Sequence, residues 1–181
     1  MYNLFPKNDW NPGQPNDDKD LWRYIDFPQF VSILENQELW FASAAEFFDP
    51  FEGALPERAL EDLAKQVPDA VEEPERIVAR LYDALRYMTY VNCWHQRDQE
   101  TAAMWQLYQD TGKEVAIKTS VKDFLSGLPD MANLTTGSVS YKEYDNANDF
   151  IINRVSPFFH KRPSFEHECE YRAVISEFEV A

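Results

Sequence analysis

The period of the apolar and polar positions changes several times along the chain, and each change marks an element. Residues 21–25, Leu-Trp-Arg-Tyr-Ile, read as a short strand. Asp26 then serves as the cap of a helix in which Phe30, Ile33 and Leu34 share one face. Residues 38–42 read as a second strand. Helices are expected over 56–66 and 73–88, with Pro68 and Pro74 bracketing the linker between them; Ile77, Val78, Leu81, Tyr82 and Leu85 form one face of the second. Residues 89–94 are strand-like, and Asp98 is expected to cap a helix running to Asp110, with Ala103, Met104, Leu107 and Tyr108 on its apolar face. Residues 114–119 alternate as a strand, Ser120 with Asp123 opens a short helix, and residues 135–144 form another strand. Phe150, Ile151, Arg154, Val155 and Phe158 suggest a further helix, interrupted by Pro157.

The last stretch has the strictest alternation. Over residues 161–172 it puts Ser164, Glu166, Glu168, Glu170 and Arg172 on one strand face, and Phe165, His167, Cys169 and Tyr171 on the other. A long final strand is expected to continue to residue 180. Strands and long helices do not alternate one for one, which disfavours a doubly wound parallel sheet. The pattern predicts an α+β single domain, with a mixed or mostly antiparallel sheet of about five or six strands and helices packed on it. Residues 1–20, rich in Asn, Asp, Pro and Gly, precede it as a surface coil pinned by Phe5 and Trp10, and residues 56–88 add a helical layer.

Composition narrows the classes of function. A chain of 181 residues can bury about 70% of its extended surface. The net charge of −15 argues against attraction to nucleic acid or anionic membranes, and His160, Lys161 and Arg162 form the one basic cluster. No apolar run approaches the roughly 20 residues of a membrane span. The reading is a soluble, cytoplasmic protein with reduced cysteines and a small-molecule or protein ligand.

Candidate chemistry concentrates in two places. Residues 43–53 carry three phenylalanines and three acids around Asp49-Pro50, and Phe48, Asp49, Phe51 and Glu52 are candidate pocket residues. The late acids Glu166, Glu168 and Glu170 are either an exposed edge guarded by charge or a functional set, with Arg172 placed to orient Glu170. Arg23 has a competing reading as a structural ion-pair partner of Glu170. Cys93 with His95 and His167 with Cys169 would allow a zinc site if their strands paired, but the spacing is not that of a zinc finger, and no metal is assigned. With five glycines and no Gly-rich phosphate loop, a dinucleotide fold of the Rossmann type is excluded.

The segments LWRYIDFPQFVSILENQELWFASAAEFFDPFEG, YVNCWHQRDQETAAMWQLY, EVAIKTS and FFHKRPSFEHECEYRAV resemble, in that order, the domain-of-unknown-function family 2971 of bacteria and their phages. The resemblance spans residues 21–174; His95 and Arg97 depart from it. A second resemblance is to mono-ADP-ribosyltransferase toxins, through an early strand with Arg beside an aromatic, a short helix, a second strand and a late E-x-E. That resemblance implies NAD as substrate, Arg23 and Tyr24 holding it, Ser43 in a central motif, and Glu168 or Glu170 as the catalytic acid. Ser-Ala-Ala at residues 43–45 departs from the toxins' Ser-Thr-Ser-like run. Two readings follow: an NAD-using transferase or glycohydrolase, and a non-catalytic binding module in phage-host conflict. They divide on whether Arg23 and Glu170 line one cleft.

Overall fold

Asp26 ends the first strand and begins the first helix. In β1 (Asp20–Asp26) it is the last residue, and at the start of α1 (Phe27–Asn36) its carboxylate accepts the Gln29 N–H at 2.7 Å while its own N–H donates to Gln29 Oε1 at 3.3 Å. The computed structural model describes residues 9–68, 70–108, 112–144 and 150–177. Phe5, the end of the helix expected to reach Asp110, and the strand expected over 178–180 lie outside the described residues. After α1 come β2 (Ala42–Ser43), α2 (Glu57–Ala64), α3 (Pro74–Tyr87), β3 (Thr89–Gln96), α4 (Ala102–Tyr108) and β4 (Glu114–Ser120). Then follow α5 (Val121–Gly127), β5 (Leu134–Ser138), β6 (Ser140–Tyr141), β7 (His160–Lys161) and β8 (Glu170–Ser176).

The sheet runs β4-β1-β3-β8-β5, with β2 alongside β3, and every pairing in it is antiparallel; β6 and β7 form a separate parallel pair. This is the α+β single-domain class that the pattern predicts. Register places Val91 opposite Val174 on one face, where they pack with Leu63, Val78, Tyr82, Leu85 and Phe158 beneath α2 and α3. On the other face Leu21, Trp94, Tyr171 and Ala173 pack with Val121 and Phe124 of α5. β3 and β8 are therefore covered on both sides. Among the described residues no helix is long and apolar enough to cross a membrane.

Several expectations are corrected. Of the strand expected at 38–42 only Ala42 is in β2: the Trp40 carbonyl accepts from the Asn92 and Arg23 side chains at 2.7 and 3.3 Å, instead of serving a ladder. Asp98 does not cap α4 but pairs with Lys19 at 2.6 Å, and Thr101 Oγ1 accepts the Met104 N–H in its place. The helix expected near 150–158 is displaced by the Asn153 side chain, which accepts from the Val155 and Ser156 N–H groups and leaves one 3-10 turn, Ser156–Phe159. The apolar face of α1 contains no buried residue. Most important, Pro163–Glu168 is a 3-10 turn that ends at Cys169 with φ 41°, so Ser164, Glu166 and Glu168 do not share a strand face with Glu170 and Arg172. Pro163 explains this, because its fixed φ and missing N–H suit a turn start and not a ladder.

The imidazole of His160 is buried against Phe150, 4.8 Å between ring centroids, and among the described residues neither nitrogen has a hydrogen-bond partner. Burial, with Lys142 nearby, pushes its pKa down to about 4. The folded form thus resists a proton that the unfolded chain takes up below about 6.5, so stability falls as pH drops from there toward 4. His160→Leu removes two unmatched polar atoms and this linkage. Thermal melts are expected to show the variant no less stable at pH 7.5 and to lose less melting temperature than wild type between pH 7 and 4.5.

Candidate functional site

β1 and β3 pair only at Leu21–Gln96 and Trp22–His95. Beyond that point β1 stays with β4 as far as Asp26–Glu114, while β3 follows β8 from His95–Glu170 to Thr89–Ser176. The two central strands therefore fork. Arg23 stands in the opening and donates to the Cys93 carbonyl at 3.4 Å and the Trp40 carbonyl at 3.3 Å. A cleft of about 400 Å³ fills the fork, and Arg23, Tyr24, His95, Glu168 and Glu170 all line it. Trp40, Phe47 and Tyr108 add aromatic walls. A second cavity of about 200 Å³ shares Arg23, Ile25, Gln29 and Trp40 with it and extends to Ser32 and Ile33 of α1.

The fork matters because alternation separates these residues. Arg23 belongs to the sheet face of Leu21 and Trp94, with its guanidinium 5.9 Å from the Trp94 ring centre, whereas Tyr24, His95 and Glu170 belong to the opposite face. In a continuous sheet they would not meet. Where the strands part, both faces open into one cleft.

Beneath the cleft lies a buried ionic network. Arg172, 1% exposed, donates from Nε to Glu170 at 2.5 Å, from one terminal nitrogen to the Phe158 carbonyl at 2.7 Å, and from the other to Glu52. Lys161 reaches Glu168 at 2.5 Å, Glu170 at 2.8 Å and Glu52 at 3.5 Å. Two cations thus meet three carboxylates. Burial alone would push Glu170 up, but Arg172, the bond with Glu168, and Lys161 together hold it well below the ordinary carboxylate range. Glu168 moves the other way, up to about 7, because burial and the neighbouring Glu170 carboxyl outweigh the pull of Lys161. The two form a pair within hydrogen-bond reach, in which Glu170 holds the charge and Glu168 the exchangeable proton. Glu168 is also the more exposed of the two, its side chain 20% accessible against 8%.

The other candidate residues divide between support and surface. Asp49 is buried and takes a two-pronged bond from Arg162 at 3.0 and 3.1 Å, and the Phe51 ring stacks under that guanidinium at 4.7 Å. Gly53 closes the loop at φ 78°, where a side chain would collide with Phe158. Glu52 and Arg172 support the cleft from below, and Phe48 is 99% exposed and points away from the interior. Ser43 does not line the cleft: its Oγ accepts the Ala45 N–H and donates to the Arg86 carbonyl, which caps a short turn. The candidate Cys/His set does not assemble either. Cys93 faces Arg172 and His95 faces Glu170 across the strands, while Cys169 bonds the Glu166 carbonyl. Burial pushes the Cys93 thiol up to about 12, which makes it a poor nucleophile.

Lys161, and the bond that His95 makes to Glu168, are the parts of the site least visible in the sequence. Lys161 reads there as one of three adjacent basic residues, and its signal was its place after the apolar pair Phe158-Phe159. No local signal marks Trp40. No family model, curated protein or solved structure matches the chain. The two family resemblances therefore rest on the quoted segments alone, and function is argued from the geometry.

Arg172→Met would leave Glu170 and Glu52 with Lys161 as their sole cation. Urea denaturation is expected to show a loss on the order of 3–5 kcal/mol; a loss below about 1 kcal/mol would refute the central role of this guanidinium. Glu168 gives a prediction of opposite pH sense to His160. Its carboxyl binds a proton more readily folded than unfolded, so its contribution is complete below about 4.5 and declines as pH rises through about 7. Compared with Glu168→Gln, wild type should lose melting temperature between pH 5 and 8, and parallel curves would refute the raised titration.

Proposed function

We propose that the protein is an enzyme that cleaves the nicotinamide–ribose bond of NAD, acting as an ADP-ribosyltransferase or an NAD glycohydrolase. One observation carries the reading: the carboxyl pair Glu168/Glu170 and Arg23 line the same cleft. Among the described residues no carboxylate pairs with Arg23, although burial is the main cause lowering its pKa. A desolvated guanidinium without a counter-ion favours an anionic group on the ligand, and the pyrophosphate of NAD is such a group. The cleft lies within the roughly 300–1,000 Å³ usual for small-molecule sites, and its aromatic walls suit flat rings.

The chemistry assigns unequal roles to the two acids. As the C1′–N bond breaks, its electron pair leaves with nicotinamide and positive charge develops on the ribose. Carboxylates aimed at that charge stabilise it more in the transition state than in the ground state. Glu170, held ionised by Arg172 and Lys161, supplies fixed negative charge. Glu168, whose raised pKa of about 7 leaves an ionised fraction at neutral pH, accepts in that carboxylate form the proton of the attacking water or acceptor hydroxyl. Arg23 and Tyr24 hold the substrate. The same proposal puts the protein in the cytoplasm, in keeping with its two free cysteines.

A second reading, a non-catalytic module for a protein or small ligand, draws on Phe48, whose exposed ring does not line the cleft. Turnover separates the two. Wild-type protein at catalytic concentration is expected to release nicotinamide from NAD, with Glu168→Gln slower by about 100-fold or more and Arg23→Ala raising KM. No release by wild type, or equal release by Glu168→Gln and Glu170→Gln variants, would sink the enzymatic reading.

A further inference from the structure

The imidazole of His95 is 2% exposed and lines the cleft, and its two nitrogens are treated very differently. Nδ1 lies 2.5 Å from the main-chain carbonyl of Glu168. A carbonyl only accepts, so Nδ1 carries the hydrogen and Nε2 has a bare lone pair. Burial lowers the pKa of the ring, which keeps it neutral in this tautomer. Among the described residues Nε2 has no partner. An unmatched buried acceptor costs about as much as one neutral hydrogen bond returns, or more, so an apolar side chain would serve stability at least as well here. What His95 supplies is the single bond to Glu168.

That bond acts at a sensitive point. Glu168 ends the 3-10 turn, Cys169 follows in a left-handed conformation, and the strand resumes at Glu170. Two bonds from β3 pin this joint: His95 Nδ1 to the Glu168 carbonyl, and the Gln96 N–H to the Cys169 carbonyl at 2.8 Å. The direction in which the Glu168 side chain leaves the backbone is set between them, before Lys161 engages its carboxylate.

We propose that His95 is a positioning residue whose Nδ1–H fixes the backbone of Glu168 and thereby holds that carboxyl against Glu170 and toward the cleft. The assignment of Glu168 as reacting group rests on the NAD reading above; the backbone role does not. The groups facing Glu168 are Lys161 of β7, Glu170 of β8, Tyr108 of α4 and Tyr141 of β6, and those facing His95 are Tyr24 of β1, Arg97, Glu170 and His167. None of them makes the bond that His95 makes to the Glu168 main chain.

The test compares three substitutions. In His95→Asn the amide nitrogen sits where Nδ1 does and can still donate; in His95→Gln it sits nearer the position of Nε2; His95→Leu donates nothing. The titration of Glu168 is followed by carbon NMR of labelled glutamate carboxyls, assigned with Glu168→Gln, alongside thermal melts and NAD turnover. Asn is expected to keep the titration of Glu168 near about 7. Leu and Gln are expected to move it toward the ordinary carboxylate range with little loss of melting temperature, and to lower kcat at least about tenfold with a smaller change in KM. Wild-type titration in both Leu and Gln variants, or equal impairment in Asn and Leu, would overturn the role; if Leu fails to fold, Gln against Asn decides. If wild type does not turn over NAD and Glu168 still titrates in this pattern, the enzymatic reading falls and the positioning role stands.

Discussion

The side chain of Arg172 ties three distant parts of the chain to one buried point. Its three bonds reach β8, the loop at Glu52 and the carbonyl of Phe158, segments separated by up to 120 residues. Removing a guanidinium from water is costly, and it is tolerated only where every direction of the planar fork finds an acceptor. Here two carboxylates and a carbonyl provide them, and the Phe47 ring lies 5.3 Å from its centre. Lys161 then bridges the same carboxylates to Glu168. The loop that carries Asp49, Glu52 and Gly53 is thus a brace for the acidic pair: Phe51 covers the Arg162 guanidinium, and Phe47 lies over Arg172 while also walling the cleft.

The fork between β1 and β3 is the complementary constraint. A sheet continuous there would bury its ladder and leave no room for a ligand. Keeping the strands apart requires other partners for the exposed main-chain groups. Arg23 caps the Cys93 carbonyl, and both Arg23 and Asn92 serve the carbonyl of Trp40. Trp94 fixes Asn92 in turn through its indole N–H at 2.6 Å. Side chains therefore replace the missing ladder bonds, and the cleft follows from that replacement.

What was legible in the sequence was local. Asp26, and Ser120 with Asp123, announce helix starts because a capping side chain acts within three residues. The buried strands β3 and β8 show as apolar-rich runs, and Arg23, Tyr24, Glu168 and Glu170 could be singled out by residue type and order. The alternation at 161–172 misled because it is indifferent to Pro163, and one proline suffices to turn a strand pattern into a 3-10 turn. The fork, the contact of Lys161 with Glu52 and the bond from His95 to Glu168 join residues dozens of positions apart, which no window of sequence contains.

The charge count of the network explains why one of its acids differs from the rest. Glu52, Glu168 and Glu170 face two cations, so full ionisation would leave one uncompensated negative charge in a desolvated site. The cheapest remedy is a proton, and it goes where the cations help least. Glu170 bonds both Arg172 and Lys161, and Glu52 lies against both; Glu168 touches Lys161 alone. It is also the acid nearest to water and to the cleft. An odd number of carboxylates around an even number of cations thus leaves a proton that exchanges near neutral pH, on the most exposed of the three acids.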